Sequence, residues 1–213
     1  YRHIVFLRNQ LISGVRGFQE LSPAVYNEGS YSGRITCLLA GDFNNDGHQD
    51  FMYVFSSTGT GGVGTISRLA FFEHRGAKDS NGVPQFDYRN HTSNSTLLTA
   101  MGGLGWIATH ASLDIDKDGD IDILFANGYG KVILLRNDGT KALSNTTKFT
   151  ASTLINATAG ETGYRWNEKG ISVIGTGDFD KDGDVDIIIG ALNWRGLKYY
   201  KNDGTENFTL YKV

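Results

Sequence analysis

The chain has 213 residues, with 20 basic and 23 acidic side chains and a formal net charge of −3. Its 39% hydrophobic content and mean hydropathy of −0.28 suit a globular fold with a real core, and it contains no apolar run of about 18 residues that could cross a membrane as a helix. The basic residues are scattered without an interleaved aromatic stripe, which excludes the usual nucleic-acid surface.

There are 28 glycines against 2 prolines, abundant Tyr and Phe, and little helical periodicity. Glycine at this level implies many tight turns, and aromatic residues favour strands. The fold class expected is all-β, built of four-stranded antiparallel units. In chain order, Arg2–Asn9 (RHIVFLRN) and Gly17–Leu21 (GFQEL) read first as two strands. They resemble the third and fourth strands of the unit that follows, so the chain begins out of phase.

Three segments then align without gaps, from Ile35, Trp106 and Gly170. Each reads as strand, Asp-rich loop, strand. The loops start 72 and 64 residues apart, at Asp42, Asp114 and Asp178. A third strand follows in each unit, at Ile66–His74, Lys131–Arg136 and Leu197–Lys201. Two of these run into Asn-Asp-Gly, at Asn137–Gly139 and Asn202–Gly204, which supplies the positive φ of a tight hairpin. A fourth strand is expected near Thr147–Leu154 and Asn207–Tyr211.

The second strands carry continuous apolar runs, Ile187–Ile189 and Ile123–Phe125. Such strands are expected to be buried on both faces, hence stacked between neighbouring sheets as propeller blades are. The reading is one repeat domain, with a half-blade at 1–34 and blades at 35–104, 105–169 and 170–213. Closed propellers usually have about four to eight blades. Three organisations stay open: a piece of a longer propeller, end-to-end assembly with further copies, or a small irregular ring closed by the half-blade.

The loops follow D-x-[DN]-x-D-G-x-x-D and hold three, five and five carboxylates, thirteen of the chain's 23. Calcium takes about six to eight oxygen ligands, and alternate residues of a tight loop aim carboxylates at one centre. The first loop offers the side chains of Asp42, Asn44, Asp46 and Asp50, with the carbonyl of His48. The second offers Asp114, Asp116, Asp118 and Asp122, with the carbonyl of Asp120. The third offers Asp178, Asp180, Asp182 and Asp186, with the carbonyl of Asp184. Carboxylates so close together repel unless a cation bridges them. Three Ca²⁺ are expected, and they would move the formal charge from −3 to about +3. The first loop has the fewest carboxylates and is expected to bind most weakly. An EF-hand is excluded, because the residue at position 12 is Tyr53, Phe125 or Ile189 rather than Glu, and the flanks read as strands.

These loops and their strand-loop-strand setting resemble the FG-GAP and VCBS-type repeats of integrin α-subunit propellers and of many secreted proteins and lectins. The Gly-Asp-Phe lead-in stands at Gly41–Phe43 and Gly177–Phe179, while the second repeat has Leu113-Asp114-Ile115. The resemblance implies structural calcium on one rim of a propeller, and a role in adhesion, glycan binding or scaffolding. The partners it implies are further blades, other copies of the chain, or a glycan.

The remaining signals are weaker. Five N-x-Ser/Thr sequons, at Asn90, Asn94, Asn145, Asn156 and Asn207, imply a glycoprotein outside the cell or at its surface if they are used. Trp166 and Trp194 lie near Arg165 and Arg195 in expected loops, where they could stack on a sugar or pack between blades. The single cysteine, Cys37, excludes an internal disulfide and reads as a buried thiol. Gly59, Gly61 and Gly64 spell G-x-G-x-x-G, but Thr65–Phe72 is strand-like where a dinucleotide site needs a helix. No G-x-S-x-G, H-E-x-x-H or Cys-His zinc spacing occurs, and the chain is not expected to be an enzyme.

Overall fold

The computed structural model describes residues 4–24, 34–58, 64–90, 107–139, 149–157, 170–191 and 196–211. All regular structure there is strand. An N-terminal hairpin pairs β1 (Ile4–Ile12) with β2 (Val15–Ala24). The first blade is β3 (Arg34–Gly41), β4 (Asp50–Thr58), β5 (Gly64–Lys78) and β6 (Pro84–Asn90). The second is β7 (Ile107–Leu113), β8 (Asp122–Asn127), β9 (Lys131–Asn137) and β10 (Phe149–Asn156). The third is β11 (Ile171–Gly177), β12 (Asp186–Ala191), β13 (Leu197–Asn202) and β14 (Phe208–Tyr211). Each blade is an antiparallel meander in which chain order equals spatial order.

The repeat extends to its irregularities. The pairing of first and second strand shifts register between Ile35 and Cys37, between Ile107 and Thr109, and between Ile171 and Val173, the same place in each unit. A bulge adds twist at a fixed point. The first strand is innermost, since β7 lies beside both β3 and β11.

Alternation along the strands explains how the blades stack. On β8, Ile123 and Phe125 point one way and join Leu39, Phe43, Met52, Val54 and Phe71 of the first blade. Leu124 and Ala126 point the other way and join Ile171, Ile187 and Ile189 of the third. The middle blade is therefore buried on both faces, as its apolar strands lead one to expect. The hairpin β1–β2 occupies the place of an outer half-blade. Its Phe6 stacks on Phe86 at 5.6 Å and meets Phe51 edge-on, on the first blade's other face. Its Arg8 donates to the Gly82 carbonyl at 3.1 Å.

The third blade departs from expectation on one face. Ile187 and Ile189 are buried against the second blade, but Ile188 is only half-buried. No described sheet covers the side it points to. The same side carries Val173, Phe179 and Leu197, all exposed. Thr65–Phe72 lies within β5, so no helix follows the glycine-rich segment. Cys37 is buried, and burial pushes its thiol up to about 12, which makes it unreactive.

Candidate metal-binding loops

The backbone of each Asp-rich loop is held by its own carboxylates in a pattern that recurs three times. The residue at position 4 adopts positive φ although it is not glycine: Asn45 at 54°, Lys117 at 63° and Lys181 at 65°. Glycine at position 6 follows, at 87°, 96° and 92°. These two left-handed residues fold the loop back on its first aspartate. Asp42, Asp114 and Asp178 each accept the amide of position 5 at 3.0–3.1 Å and that of the glycine at 2.8–3.0 Å. Asp46, Asp118 and Asp182 accept the amide of position 7 at 2.8–3.0 Å.

The ninth aspartate is the brace between loop and sheet. Asp50, Asp122 and Asp186 are buried. One oxygen of each accepts the amide at position 2, from Phe43, Ile115 or Phe179, at 3.0–3.2 Å. The other accepts an amide of the third strand, from His74, Asn137 or Asn202, at 2.7–2.9 Å. Burial pushes the Asp50 carboxyl up to about 7 and that of Asp122 to about 6, although these amides pull the other way. In the third blade the Tyr199 hydroxyl also donates to Asp186, at 2.8 Å.

Oxygens of Asp114, Asp116 and Asp122 all lie within 4.8 Å of one another, as do those of Asp178, Asp180 and Asp186. In the first loop the corresponding set is Asp42, Asn44 and Asp50, with an amide oxygen in the middle. Hard oxygen donors at this spacing fit a divalent cation of the calcium type, and the amides that line each loop hold the carboxylates in place without it. Burial and the charges of Asp118, Asp114 and Asp116 raise the carboxyl of Asp120, which a cation in the loop would relieve.

Position 7 was expected to offer only its backbone carbonyl, and the structure gives its side chain a separate place. Asp120 and Asp184 lie over Gly139 and Gly204, and His48 lies over Gly76. All three glycines have positive φ, which is why the Asn-Asp-Gly turns need glycine; a Cβ there would displace only the movable ends of these side chains. Neighbouring loops also touch. Asn45 donates to Asp120 and, at 3.3 Å, to the Gly119 carbonyl. Lys117 donates to Asp184 at 2.7 Å. Asn137 Nδ2 reaches the Phe43 carbonyl at 2.8 Å, which ties the first loop to the second blade.

Sequence pattern singled out the loop residues but missed those on the third strands. Besides Asn137 and Asn202, these are Glu73, Arg136 and Lys201, each one residue before the amide that meets the ninth aspartate. The Asn-Asp-Gly turns marked the spot without revealing its role. Of the other candidates, Asn156 and Asn207 are exposed, and the Asn207 amide nitrogen donates to Asp203 at 2.9 Å. Asn90 ends β6. Trp166, Trp194, Asn94 and Asn145 lie outside the described residues.

Residues 114–189 match the family model described as FG-GAP-like repeat. The matched span opens on the first aspartate of the second loop and closes inside β12, so it takes in the second and third loops. The first loop lies outside it and shares their hydrogen-bond pattern. A comparison with curated proteins finds no match.

Proposed function

We propose, from the premise that this chain carries an FG-GAP-like repeat, that it is a calcium-stabilised structural or adhesive module of the extracellular space. One observation carries the reading: three loops fold on the same hydrogen bonds, in the same register, at the same end of three stacked blades, and two of them gather three carboxylates within 4.8 Å of one another. Calcium there has a mechanical task. It offsets the repulsion of carboxylates that the fold brings together, and it locks the connection between first and second strands. Its binding free energy becomes folding free energy. The loop carboxylates are taken up by backbone amides and the cation, which leaves them no acid-base role, and we read the chain as non-catalytic.

The module works by joining other blades. Phe43 and Ile115 follow the first aspartate of their loops and are 2% and 3% exposed, each covered by the next blade. The equivalent Phe179 is 49% exposed. At the other end, Leu7, Leu11 and Phe18 are exposed on the hairpin face turned away from Phe6 and the first blade. Both faces continue the stacking used inside the chain, and an apolar sheet face of this kind marks an interaction surface. A second copy, its hairpin seated on the first copy's third blade, buries both at once.

Light scattering of the full chain in millimolar calcium tests this. Concentration-dependent association is expected, and Phe179→Asp should abolish it in a chain that still folds. A parent chain that stays monomeric at high concentration would rule out the second copy.

A further inference from the structure

Counting loop carboxylates makes the first site the weakest, but the third strands place further charges beside the loops. In each blade, the residue just before the amide that meets the ninth aspartate faces position 3 of the loop. Glu73 Oε1 accepts from Asn44 Nδ2 at 3.2 Å. Arg136 Nη1 lies 3.6 Å from Asp116, and the same guanidinium is paired with Glu206. Lys201 is paired with Asp180 and lies 3.1 Å from Asp182. Where position 3 is an amide, the strand supplies an acid, and where position 3 is an acid, the strand supplies a base.

We propose that this third-strand position sets the calcium affinity of each loop, so that the first site binds most tightly and the third most weakly. The inference rests on the calcium reading above. Glu73 adds a fourth carboxylate beside Asp42, Asp46 and Asp50. It shares the Asn44 amide nitrogen with Asp46, at 3.2 Å each, while the Asn44 oxygen accepts the Asp46 amide inside the loop. Lys201 does the opposite: its ammonium sits on two of the expected ligands. An entering ion must displace it or bind beside a fixed positive charge. Arg136 falls between the two, because Glu206 shares its charge and its contact with Asp116 is longer. Glu73, Arg136 and Lys201 are therefore positioning residues, each of which acts through a ligand.

The test is isothermal titration of the full chain with calcium alone, comparing parent, Lys201→Gln, Lys201→Arg and Glu73→Gln. Lys201→Gln should tighten the weakest of three constants on the order of tenfold, since affinity follows the charge around the ion. Lys201→Arg should restore it, and Glu73→Gln should weaken the tightest constant by a similar factor. Melting separates this from a merely structural role. Without calcium, Lys201→Gln should melt below the parent, because the carboxylates lose their partner. Its calcium-induced rise should nevertheless be larger than the parent's. If Lys201→Gln does not fold, Arg136→Gln reads the same effect at the second loop. Three parental sites whose constants stay within twofold in every variant would overturn the ranking alone. A parent that binds no calcium would overturn the calcium reading and this inference with it.

Discussion

At the scale of the residue, the aspartates of one loop divide into two kinds. The ninth is part of the sheet: Asp122 is buried, and its two oxygens accept the amides of Ile115 and Asn137. The fifth is part of the rim: Asp118 is exposed, and its hydrogen bond to Asp120 is local. Asp122→Ala leaves two amides without their acceptor and should cost about 2–4 kcal/mol with or without calcium. Asp118→Ala should cost little in chelator and show its effect only when calcium is present. Urea unfolding of both variants in each condition separates the two roles, and equal losses in chelator would refute the division. Burial also sets a pH dependence. Asp50 and Asp122 have carboxyls raised from an ordinary 3.8 to about 7 and about 6. The calcium-free fold thus favours the protonated form, and this contribution is complete below pH 4 and lost as pH rises toward 7. Melting of calcium-free protein should fall across that window. With calcium bound, the charged form is the one stabilised and the trend should reverse.

At the scale of the element, the blade was largely legible, because two periods encode it: alternation in the strands and the odd-numbered positions of the loop. Pattern failed where contacts cross between units. Asn137 serves a carbonyl 94 residues away, and no local spacing announces that. The facing of Lys201 and Asp180 depends on hairpin register, which follows only once β12 and β13 are paired. The first blade hid its last strand for a different reason. Its β5 runs on to Lys78, and its turn is built on Asp79, whose carboxylate accepts the amides of Asn81 and Val83. No Asn-Asp-Gly signal marks the hairpin that leads into Pro84–Asn90. Packing between blades is tightest where backbone meets backbone. A Cβ on Gly170 would stand 2.8 Å from the Gly128 Cα, with no side chain able to move aside. Gly170→Ala should therefore part the second and third blades locally and destabilise by about 1–3 kcal/mol. Gly175→Ala, which has open space around its Cβ, is the control, and equal stability of the two variants would argue against the close approach.

At the scale of the whole molecule, the fold is a stack of sheets joined twice over. Apolar faces join blade to blade, and the loop rim adds a second line of contacts from Asn45 to Asp120 and from Lys117 to Asp184. Lys181 holds the equivalent place in the third loop, beside the open face that carries Phe179. Rim and face thus run on in the same direction, which is what a further unit would meet. Because every loop sits where two strands of its blade meet, a cation in each should stabilise the stack as a whole. The direct test is thermal melting of the full chain in millimolar calcium and in excess chelator. With calcium at about 100 times the weakest site's Kd, three ions add about 2.7 kcal/mol apiece or more, and a rise in melting temperature of about 15–30 °C is predicted. Melting at the same temperature in both conditions would contradict the account at its centre.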